Sequence, residues 1–79
     1  MSVLHYKHQL SMHCSVKKQA LKNIENVQNY LKHNYICDKE EAEMNILIKE
    51  QEDIIYFLNV QIGYLHRKLL VLSAQAATN

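Results

Sequence analysis

The sequence predicts an all-α fold: an antiparallel helical hairpin, coiled-coil-like in pattern, completed by dimerisation or by a helical partner. Three observations predict it. The chain of 79 residues holds one glycine and no proline, so it lacks the residues on which tight β-hairpin turns depend. Apolar residues recur at steps of three and four in two segments, the spacing that gathers them on one helix face. Between the segments the pattern fails at His33-Asn34-Tyr35-Ile36-Cys37 and resumes behind an acidic run, Asp38-Lys39-Glu40-Glu41.

The whole chain, 1–79, reads as a single domain. Residues 1–11 form an N-terminal arm, less ordered or separately helical, with Val3, Leu4, Tyr6 and Leu10 as its thin apolar content. Helix 1 is expected over 12–33. Its stripe is Ala20, Ile24, Val27 and Leu31, widened by Leu21 and extended upstream by Leu10, Cys14 and Lys17. A turn at 34–37 follows, with Asn34 as a left-handed residue closing the helix. Helix 2 is expected over 38–74. Asp38 and Glu41 have the spacing of a capping box, and acids in a first turn suit the positive end of the helix dipole. Behind them Met44, Ile48, Gln51, Ile55, Leu58, Ile62, Leu65, Leu69 and Leu72 make one unbroken stripe. So short a connection makes the helices antiparallel neighbours.

Charge supports the same layout. The net charge is +1, but residues 1–37 carry five lysines against one glutamate, and residues 38–79 seven acids against four bases. Complementary halves suit self-association better than a polyanionic partner. In a hairpin, Glu40, Glu43, Glu50, Glu52 and Asp53 would face Lys17, Lys18, Lys22 and Lys32. Such pairs would set register more than stability, each exposed pair contributing about 0–1 kcal/mol.

From Ile54 to Leu72, thirteen of nineteen residues are apolar or aromatic. One neighbouring helix covers one stripe, yet Phe57, Val60, Tyr64 and Val71 point away from the Leu58–Leu65–Leu72 row. Burying such a side chain is worth about 1.5–3 kcal/mol, and leaving several in water is an aggregation hazard. The N-terminal twelve residues could fold over this face. Otherwise it waits for a helical partner, or for a second copy with which the Leu58, Leu65 and Leu72 stripe is buried mutually in a four-helix bundle. The expected partner-binding residues are therefore Phe57, Val60, Tyr64 and Val71, with Leu58, Leu65 and Leu72.

No catalytic, metal or cofactor site is expected. His5 and His8 stand three apart near His13 and Cys14, but without the spacing of a zinc site. Cys14 with His13 or His33 lacks the cleft and third group that a nucleophile needs. Lys17, Lys18 and Lys22 form too short a basic set to predict nucleic-acid binding. Cys14 and Cys37, too far apart along a helix to bridge, read as free thiols of a reducing compartment. No signal peptide or plain transmembrane helix is expected, so the predicted setting is cytoplasmic. The expected function is a non-enzymatic protein-binding module, an adaptor or co-chaperone; the alternative is a homodimeric four-helix bundle with a structural or regulatory role. Gly63, the one glycine, falls in the middle of helix 2, where it weakens the helix or admits a close partner.

Residues 50–73 carry a resemblance to a known family. Glu50-Gln51-Glu52-Asp53-Ile54-Ile55, then Tyr56, Phe57, Tyr64 and His66, then Leu70-Val71-Leu72-Ser73, resemble the second helix of the small two-helix co-chaperones of bacterial type III secretion, the YscE, PscE and SsaE type. The resemblance implies an α-hairpin with no catalytic activity. It also implies a TPR-like helical chaperone as partner, docked on Phe57, Val60, Tyr64 and Val71, and the needle subunit that the pair keeps soluble. Residues 1–12 have no counterpart in that pattern.

Overall fold

A computed structural model describes residues 3–78, with side chains as far as Ala76. Two helices, α1 (Val3–His33) and α2 (Asp38–Thr78), lie antiparallel as a rod of 63 × 16 × 15 Å. The fold is the predicted all-α hairpin. Its first helix is longer than expected, beginning at Val3 and not at residue 12, and α2 runs past residue 74. Met1 and Ser2 of the expected arm lie outside the described residues.

The reason is the seam. Tyr6, Leu10, His13, Lys17, Ala20, Ile24, Val27 and Leu31 step 4-3-4-3-4-3-4 and are all buried or half-buried. The α2 stripe keeps the same alternation. The Asn23 side-chain amide donates to Gln51 Oε1 at 3.3 Å and marks the register. With Ile24, the stripe residue beside Asn23, set opposite Gln51, the 4-3 steps of the two stripes set Val27 against Ile48, Ala20 against Ile55, Lys17 against Leu58, His13 against Ile62, Leu10 against Leu65 and Tyr6 against Leu69. One register thus serves every seam position. Cys14, expected on the stripe, is exposed, because the three-residue step from Leu10 falls on His13. Lys17 and His13 remain half-buried, since a long amphipathic side chain can lay its apolar part on a leucine and keep its polar end wet.

Both caps differ from expectation. The Glu41 N–H donates to the Cys37 carbonyl at 3.0 Å, so Cys37 takes the N-cap position and the Asp38–Glu41 box is out of step by one residue. The acids Asp38, Glu40 and Glu41 still occupy the first turn, where the dipole favours them. Asn34 is not left-handed, as no described non-glycine residue has positive φ. Instead its N–H and its side-chain amide both donate to the Tyr30 carbonyl, at 3.1 and 3.0 Å. The charge register is corrected too. Lys17, Lys18, Lys22 and Lys32 form no ion pair with α2; the pair found is Lys49–Asp53, 3.4 Å apart within α2. The helices are linked instead through Asn23 and through the Tyr30 hydroxyl, which donates to Glu40 Oε1 at 3.2 Å.

Burial in this rod is thin. Ala20, Leu58 and Leu65 are 3%, 5% and 3% exposed and make up the fully buried core among the described residues. Leu65→Ala should therefore cost about 2–5 kcal/mol, whereas Leu70→Ala, at an exposed site, should stay within about 0.5 kcal/mol. Urea melts of the two variants decide it, and equal losses would place Leu65 outside the seam. The Tyr30 bridge gives a second expectation. Its hydrogen bond to Glu40, and then that carboxylate's charge, hold the Tyr30 pKa above the ordinary 10.0. A raised folded-state pKa means that the bridge favours folding fully below pH 10.0 and loses this effect as the pH rises beyond it. Ultraviolet titration should show Tyr30 ionising late in the wild type and earlier in Glu40→Gln. Identical curves would mean that the bridge does not hold in solution.

Candidate protein-docking face

Because α1 occupies one side of α2, the far side of α2 carries whatever the remaining positions dictate. Ile46, Glu50, Asp53, Phe57, Val60, Tyr64, Arg67 and Val71 repeat the 4-3 alternation of the seam. At 100° per residue their row runs roughly 160° round the helix from it. α2 is therefore two-faced. The second row is charged at Glu50 and Asp53 and apolar from Phe57 onward, with Arg67 set among the apolar residues.

The four residues expected to point away from the hairpin do so: Phe57 is 60% exposed, Val60 52%, Tyr64 47% and Val71 54%. Residues 3–12 do not fold over them, because that segment continues α1 along the seam. Leu58 and Leu65, expected to meet a partner, are buried within the hairpin, and Leu72 is half-buried. The apolar seam of the hairpin has already used them, so a dimer that buries this stripe mutually would have to open the chain. Sequence reasoning missed Ile46, Tyr56 and Leu70, all exposed beside or along the outer row. The signal was available in the repeated 4-3 step, which reaches Ile46 four residues before Glu50.

Locally the face is shaped by its own charges. Lys68 Nζ lies 5.8 Å from the Tyr64 ring centroid, within the range at which an ammonium is drawn to an aromatic face. Tyr64, Arg67, Lys68 and Val71 line a shallow open groove there. Gly63 flanks the row, and a Cβ added to it would meet nothing within 4 Å. The hairpin itself makes no use of its missing side chain.

The outer side of α1 differs. Ser11, Ser15, Lys18, Gln19, Lys22, Glu25, Asn26, Asn29 and Lys32 are all exposed there, and the exposed apolar residues of α1 are Val3, Leu4, Met12, Val16, Leu21 and Tyr30, most of them on the flanks of the helix. Nor do the N-terminal histidines converge with a cysteine. The His5 ring stands edge-on to Tyr6 with centroids 5.8 Å apart, His13 is half-buried in the seam, and Cys14 and Cys37 are exposed. Among the described residues no three or more His, Cys, Asp or Glu side chains form a group that could hold a metal ion, and no helix is long and apolar enough to cross a membrane.

The chain exposes 6300 Å², against about 5,000 Å² for a compact monomer of 9.3 kDa, as a two-helix rod of 63 × 16 × 15 Å must. Comparison with protein-family models, with characterised proteins and with solved structures gives no match to this chain.

Proposed function

We propose that this chain is a non-enzymatic protein-binding module, working as an adaptor or co-chaperone does, which offers the outer face of α2 to another helix. The observation that carries this reading is the row of Phe57, Val60, Tyr64 and Val71, each about half exposed on the side of α2 that α1 leaves bare. A helix row with coiled-coil spacing is the surface that a second helix packs into. The shape supports it as well: a rod 16 Å thick offers open grooves, whereas a reaction site needs walls that exclude water.

The resemblance to type III secretion co-chaperones suits the same reading. A TPR-like chaperone, itself helical and concave, is one heterologous partner that would cover such a row. Two exposed thiols fit a reducing, cytoplasmic setting.

The test is hydrodynamic. Across a wide concentration range the wild type should never be an inert monomer: it should associate or, when held dilute, bind an apolar dye. Phe57→Glu/Tyr64→Glu should be monomeric and dye-silent, with helix content kept and stability within about 0.5 kcal/mol per site of the wild type held dilute enough to be monomeric, because both positions are exposed in the single hairpin. A wild type that is monomeric and dye-silent throughout would overturn the reading.

A further inference from the structure

We infer that the occupant of this face is a second copy of the chain, with its α2 packed antiparallel on a two-fold axis that passes between Leu58 and Asn59. The inference rests on the docking reading above and adds the partner and the register. It comes from the order of residues along the outer row. In an antiparallel helix pair each layer joins one row position to another so that their numbers sum to a constant. For this row, one such register sets Phe57 against Val60 of the second copy, Tyr64 against its Asp53, Arg67 against its Glu50 and Val71 against its Ile46. By symmetry every layer occurs twice.

The chemistry of each layer is complementary. Phe57 and Val60 form an apolar centre. The Tyr64 hydroxyl can donate to the Asp53 carboxylate, and Arg67 can meet Glu50 through its guanidinium fork. Ile46, exposed and unexplained by the hairpin, gains Val71 as its cover. Beside the row, Tyr56 falls next to Gly63 of the second copy, where the absent side chain leaves room. Other registers fit less well. A slip of one heptad either way sets Asp53 against Phe57 or Val71. A slip of two heptads toward the C-terminus keeps apolar contacts but leaves Glu50 and Asp53 with no side chain of the second copy to meet.

Charge reversal on the full chain tests this, because Glu50 and Arg67 are both exposed and neither carries the hairpin. Light scattering coupled to size exclusion should give a dimer mass for the wild type. Arg67→Glu alone, and Glu50→Arg alone, place like charges opposite each other twice and should weaken the dimer by about tenfold or more. The double variant should recover most of that loss, as coupled pairs do in a mutant cycle. A dimer indifferent to the single reversals, or not restored by the double, overturns this register. A dimer that survives Phe57→Glu/Tyr64→Glu overturns the face. A wild type that stays monomeric to millimolar concentration but binds apolar dye through Phe57 sinks self-pairing and leaves the docking reading standing. Absence of both association and dye binding sinks the two together.

Discussion

The seam between the helices is the constraint on which the rest depends. Two helices can bury one stripe each, and here the stripes match in step, so one register serves from the turn at residues 34–37 to the start of α1. What they bury is modest: Ala20, Leu58 and Leu65 fully, the rest in part. A two-layer rod has no interior beyond its seam, and any apolar residue not on the seam must face water or another molecule. The state of the α2 outer face follows directly from that geometry.

The composition of the seam explains why α1 is the weaker partner. Opposite Leu58 and Ile62 it places Lys17 and His13, and Gln51 interrupts the α2 stripe where Asn23 can donate to it. Each of these sites gives up apolar area. A polar pair in a helix seam costs stability but penalises slipped registers, which would leave amide groups facing hydrocarbon. Asn23–Gln51 and Tyr30–Glu40 are polar links that help to pin the two helices.

The legibility of the sequence tracked the apolarity of the seam. The body of α2 was readable, because its stripe is nearly pure Ile, Leu and Met. The first half of α1 was not, because a stripe of Tyr6, His13 and Lys17 is hard to tell from a polar arm until the opposing leucines are in place. The same ambiguity drew Cys14 onto the stripe in place of His13. The caps failed for another reason. Asp38 and Asn34 have the right chemistry for an N-cap and a left-handed closure, but the first helical bond of α2 falls on the Cys37 carbonyl one residue earlier, and Asn34 closes α1 by donating twice to the Tyr30 carbonyl without a positive φ. The exposed outer row was legible in its four central residues. Leu65 and Leu72 lie beyond the reach of a first helix that begins at residue 12, and the helix that extends to Val3 takes them up, while Leu58 is covered at the level of Lys17, whose polar end hid its place on the seam.

The asymmetry between the outer faces bears on what kind of assembly this hairpin can enter. An apolar row on both helices would let copies add without end, each new hairpin exposing the surface that the last one covered. Here the side of α1 opposite the seam is mostly serine, lysine, glutamine and asparagine, its exposed apolar residues such as Val16 and Leu21 stand singly on the flanks, and the continuous apolar row belongs to α2. A face that pairs with itself across a two-fold axis is used up in one step. In the proposed dimer the largely polar sides of both α1 helices would form the outside, and the assembly would close at four helices. A heterologous helix on the same row would be equally terminal. Either way, concentrating the surplus on one helix allows a chain with so small a core to associate once and stop, where two sticky faces would lead to fibres or precipitate.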